Sequence, residues 1–186
     1  MNRNKVNTMV GVSIMIALVV VLQLLGQFIK FGAVSISLVL LPIVVGAAMY
    51  GPGAGAILGL AFSVVVLLQP DTAFFYGISV HGTVITVLVK GILCGWLAGL
   101  IYHVFSKINV NLGVVMAAVV CPIVNTGLFY IGCMLFFYEG LSTAFNVANV
   151  GTFVITAFVG FNFVAEFAMN LLCCPVILRL LRAIKK

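Results

Sequence analysis

From Met9 to Ile29 the chain carries no charged residue, and similar apolar runs follow one another almost to its end. A helix needs about 20 such residues to cross the roughly 30 Å hydrocarbon core of a bilayer. With 65% of its residues hydrophobic and 6% charged, a water-soluble fold of this size could neither cover its apolar side chains nor stay dispersed. The solvent of this chain is therefore lipid. Its 186 residues leave no length for a separate catalytic domain in water. Disorder is excluded by the hydrophobicity, and a closed β-barrel by runs that are apolar throughout rather than alternating.

Apolar runs between turn signals predict an all-α membrane protein of six transmembrane helices in one bundle, at about 9 to 29, 34 to 49, 53 to 69, 80 to 104, 112 to 137 and 149 to 174. The second and third are shorter than an ordinary span, so they tilt or stop short of crossing. Tyr50-Gly51-Pro52-Gly53 leaves room only for a tight turn between them. Pro175 to Lys186 alternates leucines with Arg179, Arg182, Lys185 and Lys186, which suits a helix lying at an anionic leaflet. Six spans put Arg3, Lys5, Lys107 and those four cations on one side and Lys30, Asp71 and Glu139 on the other. The bias makes both termini cytoplasmic. It also accounts for the net charge of +6 without nucleic acid, since the cations form no stripe with interleaved aromatics.

Residues 1–186 read as a single integral membrane domain. The run from Met9 to Phe28 is too long for a cleavable leader, so it stays as the first span. Cys94, Cys121, Cys133, Cys173 and Cys174 lie in apolar runs without a C-x-x-C pair and read as small fillers. His81 and His103 fall at opposite ends of the fourth span, so no metal site is expected. Three connections are expected as polar loops over the outer mouth: Lys30 to Ser37, Gln69 to Ser79 and Tyr138 to Asn146.

Helical rise places Lys90 of the fourth span about 15 Å deep, near the bilayer centre, with Asn125 and Asn162 of the next two spans at the same level. A charge there costs about 2.5 to 3.5 kcal/mol on insertion scales, so Lys90 must face the bundle interior, a partner or a water-filled cavity. Thr83, Thr86 and Lys90 share one helical face, and Asn162, Glu166 and Asn170 repeat at spacing four on another. Pro122 is expected to open the fifth span near Asn125-Thr126-Gly127. Lys90 has two readings: a structural ion pair with Glu166, or a receptor for an anionic group of a bound molecule that Glu166 helps to orient. Asn125 and Asn162 serve equally as glue between helices or as ligand contacts. Phe129 and Phe158, near the polar level, are the candidates for stacking on a ligand. Phe74, Phe75, Tyr76, Trp96 and Tyr138 read as interface or packing aromatics.

Small residues recur every four positions, as Gly51, Gly55 and Gly59, as Gly91, Gly95 and Gly99, and as Ser13 with Ala17. Such stripes let helices approach closely. Most are expected to pack within the chain, leaving one for a partner.

The turn Met49-Tyr50-Gly51-Pro52-Gly53-Ala54-Gly55 and the stretch Lys90-Gly91-Ile92-Leu93-Cys94-Gly95-Trp96-Leu97-Ala98-Gly99-Leu100-Ile101-Tyr102 complete a pattern covering the whole chain. It resembles the substrate-binding S components of energy-coupling factor (ECF) transporters, the prokaryotic vitamin importers. The resemblance implies a vitamin site near the outer face, built by the last three helices and the outer loops. It also implies two kinds of partner, a transmembrane coupling protein and two ATP-hydrolysing subunits. Ser13 and Ala17 stand where the family has its A-x-x-x-A coupling pattern. No phosphate loop occurs in the chain, so any ATP hydrolysis would reside in the partners, and no cofactor is expected. A lysine among Asn and Thr favours an anionic vitamin, pantothenate first, with biotin, folate and riboflavin open. The substrate-binding set is then Lys90, Thr83, Thr86, Asn125, Phe129, Phe158, Asn162 and Glu166. An ion-coupled transporter that exchanges a proton between Lys90 and Glu166 is the main rival. An intramembrane hydrolase lacks a base near any nucleophile.

Overall fold

The computed structural model describes residues 3–26, 30, 31, 34, 35 and 39–184. Its elements in chain order are α1 (Arg3–Gly26), β1 (Lys30–Phe31), β2 (Val34–Ser35), α2 (Leu40–Tyr50), α3 (Pro52–Leu67), α4 (Pro70–Ile78), α5 (Val80–Phe105), α6 (Val110–Phe136), α7 (Tyr138–Phe145), α8 (Val150–Val154), a π-helical turn (Ile155–Val159), α9 (Gly160–Leu172) and α10 (Cys174–Ile184). Apart from the antiparallel β1–β2 ladder, which pairs Lys30 with Ser35, the described architecture is helical. The connection expected from Lys30 to Ser37 lies partly outside the described residues, and Lys185 and Lys186 lie wholly outside them.

Local chemistry sets the boundaries. Gly51, at φ 95°, makes the tight turn between α2 and α3, where a side chain would be strained, and Pro52 opens α3 with its φ already helical. Ser79 caps α5 by accepting the Gly82 N–H at 3.2 Å. Asn109 caps α6 through the Asn111 N–H at 2.8 Å, and Asn149 caps α8 through the Thr152 N–H at 3.1 Å.

Four stretches are individually long and apolar enough to cross a membrane: Val6–Gly26, Val80–Phe105, Val110–Phe136 and Asn162–Arg179. Two helix pairs, α3 with α4 and α7 with the segment Val150–Val159, are each bent by 80°, and counting each as a span gives up to six. Helix α2, where the second span is expected, has 11 residues, about 17 Å of rise, and cannot cross alone. It is instead enclosed by the bundle, with Leu40, Ile43, Val44 and Ala47 fully buried.

Helices α3 and α5 run antiparallel along a seam of small residues. Gly55 lies opposite Gly95, and Gly59 opposite Gly91. A methyl group at Gly59 would come within 2.7 Å of the Gly91 carbonyl carbon, and one at Gly99 within 2.7 Å of the Pro52 Cα. Both glycine stripes thus meet each other inside the chain. Ser63 continues the seam, its hydroxyl lying 2.7 Å from the Val87 carbonyl oxygen and 3.0 Å from that of Gly59. Cys94, Cys121, Cys133 and Cys174 are buried and all five thiols are free, as fillers should be. Trp96, Phe74 and Tyr138 are exposed on the bundle surface.

Three expectations need correction. Gln69 to Ser79 and Tyr138 to Asn146 are not loops: they fold as α4 and α7. In α4 the proline at the first helical position and Asp71 in the first turn supply a start signal. Helix α7 ends where Asn146 takes a left-handed conformation. Pro122, in turn, does not open α6, which is helical from Val110 to Phe136. Packing along α5 holds it, and lipid leaves its backbone groups no other partners.

Candidate functional site

The irregular turn lies one helix later than expected. Ile155–Val159 winds as a π-helix, whose wide turn leaves carbonyls poorly matched. The Thr156 hydroxyl answers them from 3.0 Å at the Thr152 carbonyl and 3.1 Å at that of Phe153. This turn carries Phe158 and Val159 to the wall of a cavity and is followed by Asn162 on the same wall.

The cavity measures about 180 Å³. Helix α5 gives it Thr83, Thr86, Val87 and Lys90, and α6 gives Asn125, Thr126 and Phe129. Its roof is α4, with Asp71, Thr72 and Phe75, and Phe137 closes the end of α6. The 80° bend is fixed by side chains that satisfy the last carbonyls of α3. The Thr72 hydroxyl donates to Val66 O at 2.6 Å and Tyr76 to Leu67 O at 3.0 Å. Gln69, also on the wall, exchanges hydrogen bonds with Gln23 of α1: Gln23 Nε2 donates to its Oε1 at 3.1 Å, and its Nε2 donates to the Gln23 carbonyl at 3.3 Å.

Seven of the eight residues expected to bind substrate therefore meet around one space: Lys90, Thr83, Thr86, Asn125, Phe129, Phe158 and Asn162. Glu166 is the exception. It is buried, at 1% exposure, and is not among the residues that line the cavity, while its carboxylate acts electrostatically on Lys90. Sequence reasoning missed Gln69, Asp71, Thr72, Phe75, Thr126 and Phe137. For Phe75 the signal was present, a phenylalanine four residues past a helix-starting Pro-Asp, but it reads as an interface aromatic until α4 is seen to fold over the bundle.

Lys90 Nζ sits over two aromatic faces, 5.2 Å from the centroid of Phe129 and 5.7 Å from that of Phe62. Rings at this range favour a cation by about 0.5 to 2 kcal/mol and leave the ammonium protons unspent. On the same wall, the Thr86 hydroxyl, which can donate or accept, and the acceptors Asn125 Oδ1 and Asn162 Oδ1 are buried without a hydrogen-bond partner. Each such atom costs about 1 to 3 kcal/mol, which a ligand carrying N–H or O–H groups would recover. Phe75 covers this arrangement edge-on to Phe129, Phe137 and Phe158, at 5.7, 5.2 and 6.0 Å. The walls can thus hold an anionic group at one point and polar donors at others beneath an apolar cover.

The family model for the ECF transporter, substrate-specific component, matches residues 7–178. The chain belongs to this family. No curated protein and no solved structure matches it. As an ECF S component it is a multi-pass membrane subunit that binds substrate and is not itself an enzyme, and its family implies coupling and ATPase subunits beside it. On this S component Ser13 and Ala17 are exposed on α1, away from the cavity wall, along a face that also presents Val10, Ile14 and Val21.

Proposed function

We propose that this S component binds a small, anionic, water-soluble vitamin, with pantothenate the best candidate, and carries it across the cell membrane as part of an ATP-driven importer. One transmembrane coupling protein and two ATPases complete the importer. The ligand carboxylate takes the ammonium protons of Lys90, and its hydroxyl and amide donors meet Thr86, Asn125 and Asn162. Thr83, Phe129 and Phe158 shape the remaining wall, and Glu166 acts on Lys90 without lining it. The observation that carries this reading is the Lys90 ammonium held over two rings at a cavity where Thr86 Oγ1, Asn125 Oδ1 and Asn162 Oδ1 are buried without a hydrogen-bond partner. The small volume favours a compact ligand, since drug-sized pockets run from about 300 to 1,000 Å³. Pantothenate, with one carboxylate, an amide and two hydroxyls, suits it better than folate or riboflavin.

In the bilayer we assign six crossings, the short α2 making one of them only as part of the bundle that encloses it, with both termini in the cytoplasm and the α4 and α7 roof outside. Charge bias supports this: Lys107 follows Ser106, which lines one pocket with Leu181 of α10 and with Tyr50, and Tyr50 in turn lies against Gly11 of α1. Ser13 and Ala17 offer the flat patch for the coupling protein.

The decisive experiment is a thermal-shift and native-mass screen of the detergent-purified chain against water-soluble vitamins. Pantothenate is expected to bind with micromolar or tighter affinity and to raise the melting temperature. Binding confined to a cationic or uncharged vitamin would overturn the assignment. Uptake by the lone protein in vesicles, driven by a pH gradient, would favour the ion-coupled rival.

A further inference from the structure

Of the chain's three carboxylates, Glu166 alone lies in the long helical part of the bundle, at 1% exposure. It is absent from the cavity wall, yet its carboxylate acts on Lys90 and on the Cys121 thiol. The groups that face it from neighbouring elements are few. Helix α5 brings Lys90 and Cys94, and α6 brings Cys121, hydrogen-bonded to Cys94. Helix α2 brings no titratable residue except Tyr50 at its far end, and β2 none. Helix α10 carries Cys174 and Arg182, and its Arg179 is exposed. On α9 itself, Asn170 donates its amide to the Glu166 backbone carbonyl at 3.0 Å.

Asp71 also lines the cavity, but at the roof, where it is exposed; in the buried part, one ammonium and one carboxylate leave no net charge. A ligand carboxylate arriving at Lys90 adds a negative charge in surroundings of low dielectric, where an uncompensated ion is costly. Two carboxylates gathered about a single cation do not both stay ionised cheaply. The ligand group touches the ammonium and keeps its charge. Glu166, which does not line the cavity, takes up the difference. We infer that an anionic ligand loads together with one proton, which passes from bulk water to a carboxylate oxygen of Glu166. The buried group of Lys90, Glu166 and ligand carboxylate then carries no net charge again. This inference rests on the anionic-vitamin reading. It adds that affinity rises as pH falls, by up to about tenfold per pH unit, over the range where the free ligand and the unloaded Glu166 are both ionised.

Isothermal titration of the purified full chain with pantothenate, at one pH in two buffers of different ionisation heat, counts the protons. The expected result is uptake of about one proton per ligand bound, with a pH-dependent Kd. In Glu166→Gln both the uptake and the pH dependence are expected to vanish. Wild-type binding without proton uptake, or undiminished uptake in Glu166→Gln, would overturn the inference and leave the vitamin assignment standing. Should Glu166→Gln fail to fold, infrared difference spectra of the wild type decide. A protonated-carboxyl band must appear when pantothenate is added, and its absence is equally fatal. If pantothenate does not bind in either buffer, the vitamin assignment fails first and takes this inference with it.

Discussion

The Ser63 hydroxyl reaches the Val87 carbonyl at 2.7 Å, about one helical turn before Lys90, so the glycine seam between α3 and α5 ends at the cavity wall. The position of Lys90 is thereby tied to a close, glycine-lined helix contact. Removing the bond with Ser63→Ala should cost about 1 kcal/mol, or about 2–4 °C in a thermal melt of the detergent-solubilised protein. Gly59→Leu is the severe counterpart. Its side chain would meet the backbone of Gly91 and Ile92, so the folded fraction recovered by size-exclusion chromatography should collapse.

Lys90→Ala should weaken pantothenate by about 2 to 3 kcal/mol, roughly 30- to 150-fold in Kd, as expected for a charge-assisted contact in a buried site. Calorimetry would measure it. The uncharged alcohol analogue of pantothenate should lose far less, because it never engaged the ammonium fully. Equal losses for acid and alcohol would return Lys90 to a structural pair with Glu166.

Phe75→Ala removes the ring that spans Phe129, Phe137 and Phe158. The cover then leaks, and the dissociation rate of pantothenate should rise roughly tenfold, with the association rate little altered. Stopped-flow displacement separates the two rates.

Ser13→Leu with Ala17→Leu places bulk on the exposed face of α1. Pantothenate binding to the isolated protein should be unchanged, whereas uptake into cells co-expressing the coupling protein and ATPases should be lost. Retained uptake would move the coupling surface elsewhere.

Much of the site could be read from the chain because helical rise converts position into depth. That is how Lys90, Asn125 and Asn162 could be brought to one level before any fold was known, and how glycines spaced by four announced close helix contact. Glu166 shows where the method stops. Spacing of four puts it on the face of Asn162, but whether the cavity extends one turn farther depends on how α9 packs. The roof was hidden for a different reason. Pro70 and Asp71 read as turn residues, and a nine-residue helix held by Thr72 and Tyr76 bonds to α3 depends on partners distant from any local window. Helix α2 illustrates a third limit: its residues are apolar enough for lipid, yet the bundle claims them as core.

The π turn leaves no trace in composition, since Ile155-Thr156-Ala157-Phe158-Val159 is an ordinary apolar run. Geometrically it acts as a frame shift. A π turn holds about one residue more than an α turn, and each residue of an α-helix advances the azimuth by about 100°. The azimuth of Asn162 and Glu166 is therefore set upstream, by residues that need touch no ligand. Deleting one residue from this run would absorb the extra length and leave both polar groups in place. Rewinding it as a regular α-helix with every residue kept would swing them about a quarter-turn off their present bearing, a lesion as damaging as losing the lysine although every chemical group survives.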